Sequence, residues 1–188
     1  MGGHQGLQLT TDVSAPAKPV GNFVLSSCPG KKVRLDGAPV RGGRSAICRD
    51  VKMDLARAKG EGVRVVICCL EDSELAYLGA PWDEYAEAAR SLGLGVVRIP
   101  MVEGFAPQSP AMLDALLDGV IRKHTLRGES VLAHCRGGIG RAGLVACAWM
   151  LKMGLVWEGT GEADRTESMG DPLAVVSRVI ELIRRRRR

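Results

Sequence analysis

The chain lacks the spacings that hold metal. Its six cysteines (Cys28, Cys48, Cys68, Cys69, Cys135 and Cys147) form no Cys-x-x-Cys pair and its three histidines stand far apart, so neither a zinc site nor any other cofactor is expected. No apolar run approaches the ~20 residues that a membrane helix needs. The first residues, "MGGHQGLQLTTDVSAPAKPV", lack the basic-then-apolar order of a secretory signal and the Ser or Thr of a myristoylation site, so residues 1–21 are expected to be a flexible lead-in. Cysteines without a disulfide-like or secretory context fit a reducing compartment, and a cytoplasmic or nuclear location is the expectation. There is no internal repeat.

Charge of one sign is also missing from the body of the chain. The formal charge of +5 comes from 26 basic residues against 21 acidic ones, and five of the basic residues are Arg184 to Arg188. That run (184–188) reads as a solvated tail where cations favour a helix C-terminus, and the neutral remainder gives no reason to expect a nucleic-acid partner. With 188 residues the chain is long enough for one well-buried core, expected over residues 22–183.

What is present is an alternation of strands and helices. "GNFVLSS" reads as a short strand, "CPGKKVRLDGAPVRGGRSA" as a glycine- and proline-rich loop, and "RDVKMDLARAKGEG" as a helix. "VRVVICCL" is β-branched and nearly continuous in its apolar character, as a strand covered on both faces should be. A short helical piece around Glu74 to Leu78, the amphipathic "DEYAEAARSLGLG" and the strand "VVRIP" follow. Ser109 caps and Pro110 opens another helix; "SVLAH" is the next strand, with a helix from about Arg141 to Met153 behind it. A last helix, opened by Asp171 and Pro172, closes the chain. Cys147, inside an apolar helical stretch, is expected to be a small buried hydrophobe. The pattern predicts an α/β fold, a central mostly parallel sheet flanked by helices, with ligands outside the carboxyl ends of its strands.

One such end reads "HCRGGIGRAG". Glycines at 137, 138 and 140 let the backbone curl so that successive N–H groups, with those of Arg136, Ile139 and Ala142, point inward at the positive end of the following helix. Arg141 can give two parallel hydrogen bonds to a phosphate and does not lose its charge. The same field lowers the pKa of a thiol at Cys135 from about 8.5 into the ~3.5–7.5 range. A bowl for a tetrahedral dianion with a thiolate at its base implies attack on phosphorus and a phosphocysteine that water later hydrolyses.

His134-Cys135-x5-Arg141 resembles the signature of the cysteine-dependent protein tyrosine and dual-specificity phosphatases, and "HCRGGIGRAGLVACAWML" is similar to their kinase-associated branch. The likeness runs more weakly through "SSCPGKKVR", "GVRVVICCLEDSEL" and "VVRIPMVEGFAPQSP". The resemblance implies a protein tyrosine phosphatase-like fold, Cys135 as nucleophile, Arg141 as phosphate clamp, and His134 as a neighbour that sets the thiolate's environment. It implies a phosphoprotein substrate and a protein kinase among the partners.

Four features depart from that pattern or extend it. The family places an aspartic acid on a loop about thirty residues before the cysteine; here the loop reads "MVEGFAP" and Glu103 is its only carboxylate. Its extra methylene moves the proton by ~1.5 Å, where a misplacement of about 1 Å can cost on the order of a hundredfold. Ala142 stands where most members carry a Ser or Thr that stabilises the departing thiolate. Cys68 and Cys69 end the strand "VRVVICCL"; in some relatives a cysteine near that strand's end forms a reversible disulfide with the nucleophile, and either could do so here, since alternation sends their side chains to opposite faces. Arg136 resembles the basic loop residues of the superfamily's lipid phosphatases. Two alternatives therefore stand beside a protein phosphatase: a phosphoinositide phosphatase, and a catalytically weak module that holds a phosphoprotein.

Overall fold

The computed structural model describes residues 20–33 and 47–154. The expected last helix, the basic tail and nearly all of the lead-in lie outside the described residues. The elements are β1 (Phe23–Ser27), β2 (Lys32–Val33), β3 (Ile47–Cys48), α1 (Val51–Gly60), β4 (Val63–Cys68), α2 (Asp72–Tyr77), α3 (Trp82–Ser91), β5 (Gly95–Arg98), α4 (Pro110–Lys123), a 3-10 turn (Thr125–Arg127), β6 (Ser130–Cys135) and α5 (Gly140–Lys152).

Four strands form a parallel sheet in the order β1-β6-β4-β5. The two strands with the most apolar sequences occupy its centre: every residue of β6 is buried, and β4 exposes only Arg64. Both therefore need cover on two faces. The register shows which face is which. Phe23 pairs with Val131, and its ring lies 5.0 Å from that of Trp149 in α5, so α5 covers the face that carries residues 131, 133 and 135. On the other face Tyr85 of α3 meets His134. The α/β sandwich of the sequence reading is thus observed.

Local signals act as read. Asp50 caps α1 by accepting from the Met53 amide, and Ser109 caps α4 by accepting from Met112, with Pro110 in the first turn. Two readings need correction. The stretch taken wholly as loop contains β2, which pairs antiparallel with β3 directly after that stretch, the two joined through residues outside the described set; strands of two residues carry no periodicity to detect. Cys147 is exposed, because α5 buries Leu144, Val145, Ala148 and Trp149 and turns residue 147 the other way.

Two polar clamps hold the sheet's carboxyl edge. Arg98, at the end of β5, donates to the Leu70 carbonyl and to Asp72, and lies 4.0 Å over the Trp82 ring, which ties α2 and α3 to the sheet. Arg49 donates to Ser27 Oγ at 3.0 Å and to the Cys28 carbonyl, and it pairs with Asp54 at 3.2 Å. Asp54 in turn accepts from the Gly30 amide at 2.9 Å. The segment after β1 is thereby fixed beside the end of β6.

Candidate active site

β6 ends at Cys135 and α5 starts at Gly140, so the glycine-rich turn lies at the sheet's carboxyl edge as the spacing requires. Cys135 is 3% exposed. The Gly138 amide donates to its Sγ at 3.3 Å. Burial pushes this thiol up, but the amides of Ala142, Gly138 and Gly137, together with the charge of Arg141, outweigh it and bring the pKa below the ordinary thiol value. Gly138 has φ +82°, and a Cβ there would sit 2.7 Å from the Ser26 carbonyl carbon and oxygen. The turn therefore closes over the end of β1, on the segment that Arg49 braces, and only glycine fits. Ala142 is fully buried, whereas Gly137, Ile139 and Gly140 are exposed along the mouth.

Arg141 does not hang free. Its Nη1 donates to Glu74 Oε2 at 2.5 Å and to the Met101 carbonyl at 2.7 Å, and its Nη2 donates to Glu74 Oε1 at 2.9 Å. The guanidinium is buried, so a carboxylate partner is a physical necessity. Its hydrogen bonds hold the Glu74 carboxyl below the usual range, against a smaller opposing effect of burial. This positioning residue was missed in the sequence. An arginine beside a buried cysteine announces that some acid must face it, but nothing local points to a residue 67 positions away.

His134 and Cys135 are adjacent in sequence and point to opposite faces. The imidazole is fully buried, with Nε2 2.9 Å from the Tyr85 hydroxyl. Burial, supported by the charges of Arg98 and Arg141, brings its pKa down to about 3 although a backbone contact at Cys135 opposes this. The ring is neutral and shares one hydrogen bond with the Tyr85 hydroxyl through Nε2, while Nδ1 is buried without a hydrogen-bond partner among the described residues. His134 thus contributes shape beside the cysteine and no positive charge.

Glu103 and Arg136 meet at the mouth, 3.5 Å apart and both exposed. The backbone carbonyl of Arg136 also accepts from Lys31 Nζ at 3.4 Å. A second cation therefore stands beside the turn, supplied by the segment after β1 and invisible to a scan of the turn itself. Asp114 and Asp118, the other carboxylates near in sequence, are engaged by Lys152 at 2.5 and 2.7 Å.

The two strand cysteines separate. Cys68 pairs in register with His134 and shares its face, and the Cys69 amide donates to the His134 carbonyl at 3.0 Å, which continues the ladder and sets Cys69 beside Cys135. Cys68 is therefore corrected: it cannot reach Cys135 without crossing its own strand. Burial pushes the Cys69 thiol up, and the neighbouring cysteines Cys68 and Cys135 push it further. Two adjacent thiols are driven in opposite directions because only Cys135 receives amides.

Among the described residues no group of three or more His, Cys, Asp or Glu side chains could hold a metal ion. The arrangement can bind a tetrahedral oxyanion by amides and a guanidinium, and it can present a sulfur anion to it.

Comparison with solved structures places the fold. A kinase-associated phosphatase, crystallised with serine in place of its catalytic-site cysteine, aligns with a TM-score of 0.57 at 18% identity, over 87% of this chain and 85% of that one. The active form of Tk-PTP aligns at 0.44 and 27% identity, over 77% and 85%. PTPMT1 in complex with PI(5)P aligns at 0.48 and 16%, over 89% and 95%. No curated protein matches the sequence. The family model described as Tc-R-P, polymorphic toxin system, DSP-PTPase phosphatase, matches residues 42–155, and the chain belongs to that family of cysteine-dependent dual-specificity-type phosphatases.

Proposed function

We propose that this phosphatase hydrolyses phosphotyrosine or phosphoserine/threonine in proteins through a phosphocysteine intermediate, in the setting of the polymorphic toxin systems for which its family is described. The observation that carries the reading is the Cys135 sulfur, ionised below the ordinary thiol range by inward amides despite its burial. In the first step the thiolate attacks phosphorus; the P–S bond forms as the bond from phosphorus to the side-chain oxygen breaks, and that oxygen takes its proton from the Glu103 carboxyl. In the second step water attacks phosphorus, the P–S bond breaks, and inorganic phosphate leaves as Glu103 recovers a proton. The amides of residues 136–142 and the guanidinium of Arg141 hold the equatorial oxygens throughout. Metal has no part in this sequence of steps.

One observation favours a second reading. Lys31 joins Arg136 at the mouth, and paired cations there suit the additional phosphates of a phosphoinositide headgroup.

A vanadate-sensitive assay with an aryl phosphate, phosphopeptides and inositol lipids tests both. Turnover of the aryl phosphate and of phosphopeptides, abolished by Cys135→Ser, is expected. Glu103→Gln should slow phosphopeptides more than an aryl phosphate whose leaving group needs no proton. Iodoacetate should alkylate Cys135 at pH values below ~8.5. Turnover confined to inositol lipids would establish the second reading instead.

A further inference from the structure

Next to the phosphate cradle, the carboxyl ends of β4 and β5 enclose a cavity of about 280 Å³. Its walls include Pro100, Met101, Val102 and Phe105, and its polar groups are Glu71 and Gln108. The volume suits one side chain, since pockets for drug-sized ligands begin near ~300 Å³. Glu71 stands directly before α2 and does not cap it. The neighbouring acids, Asp72 and Glu74, are each held by an arginine, whereas Glu71 has no ion-pair partner among the described residues. A half-buried carboxylate beside apolar walls is thus left facing the cavity.

The cavity and the cradle share Met101, whose carbonyl accepts from Arg141 at 2.7 Å and whose residue lines the cavity. In the sheet order, β5 is two strands from β6. At about 4.8 Å per strand this puts the cavity on the order of 10 Å from Cys135, a span that an extended peptide covers in about three residues.

We infer that this cavity takes a lysine or arginine side chain about three residues from the phosphorylated residue of a protein substrate. The aliphatic stem lies against Pro100, Met101, Val102 and Phe105, and the cation meets Glu71, with the amide oxygen of Gln108 as a further acceptor. An acidic residue is repelled by Glu71, and an apolar one leaves that carboxylate desolvated and unpaired. The assignment rests on the protein-substrate reading above.

The test is a set of phosphopeptides that places Lys, Arg, Ala or Glu at each position around the phosphorylated residue. It is read as kcat/KM on the wild type, Glu71→Gln and Glu71→Lys, and as Kd on each of them combined with Cys135→Ser. The wild type should favour Lys or Arg over Glu at one position by about fivefold or more. Glu71→Gln should level that preference and Glu71→Lys invert it, with hydrolysis of an aryl phosphate equal in all three. A wild type without a positional preference, or a preference that survives Glu71→Gln, overturns the assignment of the cavity while leaving the protein-substrate reading in place. Hydrolysis of the aryl phosphate and inositol lipids with no phosphopeptide bound or turned over overturns both.

Discussion

Glu74 grips Arg141 with both carboxylate oxygens, at 2.5 and 2.9 Å, and so fixes the plane of the guanidinium before any phosphate arrives. The remaining N–H groups are then aimed without a loss of side-chain freedom on binding. Replacing Glu74 by Ala leaves a buried cation without its partner and frees its rotamer. The expected result is a fall in kcat/KM for an aryl phosphate of about ten- to a hundredfold, from the loss of charge-assisted hydrogen bonds of ~1.5–3 kcal/mol. Weaker vanadate inhibition should accompany it, because Arg141 serves ground and transition states alike and the loss appears in KM as well as kcat. Glu74→Gln should recover part of both. Kinetics and inhibition unchanged in Glu74→Ala would remove Glu74 from the mechanism.

The cradle itself was legible from ten consecutive residues because everything in it is local: one turn, its amides, one arginine and one cysteine. The supports were not legible, because each reaches the turn from elsewhere in the chain. Glu74 comes from α2, Lys31 and the Ser26 backbone from the β1 side, Tyr85 from α3 and the Met101 carbonyl from the end of β5. Periodicity placed the four sheet strands and the helices that flank them, since burial on one or two faces leaves a period in the sequence. It could not decide between Cys68 and Cys69, because alternation says that they differ in direction and only the register with His134 and Cys135 says which of them faces the nucleophile.

Ala142 bears on the second chemical step. Its amide helps to hold the Cys135 thiolate, but a fully buried methyl supplies no hydroxyl to the sulfur as it leaves phosphorus. A missing hydrogen bond to a charged group costs ~1.5–3 kcal/mol, about ten- to a hundredfold in rate. Pre-steady-state kinetics with an aryl phosphate should show a burst of one equivalent of phenol followed by slow turnover. Ala142→Ser should raise the steady rate and leave the burst rate alone. A variant with no gain in turnover would show that hydrolysis of the phosphocysteine is limited elsewhere, and an absent burst would point to the phosphoprotein-holding module.

The register that sets Cys69 beside Cys135 predicts that Cys69 is the partner in any oxidative crosslink of that sulfur. Peroxide converts the Cys135 thiolate to a sulfenic acid; the Cys69 sulfur then attacks it, forming the S–S bond and expelling water as the Cys69 proton is taken up by the leaving hydroxide. Neighbouring parallel strands in register bring Cα atoms within the 4.4–6.8 Å that a disulfide spans. Peptide mapping after mild peroxide should find Cys135 joined to Cys69 and not to Cys68, with activity restored by dithiothreitol. In Cys69→Ser the same treatment should drive Cys135 to the irreversible sulfinic state. A crosslink to Cys68 would contradict the observed register.

His134 makes stability depend on pH in a direction that follows from its burial. Its folded pKa, about 3, lies below the ordinary value of 6.5. Above pH 6.5 the imidazole is neutral in the folded and the unfolded chain alike, so it contributes no pH dependence there. As pH falls below 6.5 the unfolded chain binds a proton that the folded one refuses, and stability drops by up to ~1.4 kcal/mol per pH unit until the folded ring titrates near pH 3. His134→Gln retains a side chain that can meet the Tyr85 hydroxyl but does not titrate. Between pH 7 and pH 5 the wild type should lose about 2 kcal/mol more than this variant in urea unfolding. Parallel losses would mean that the imidazole takes up its proton in the folded state despite its burial against the Tyr85 hydroxyl.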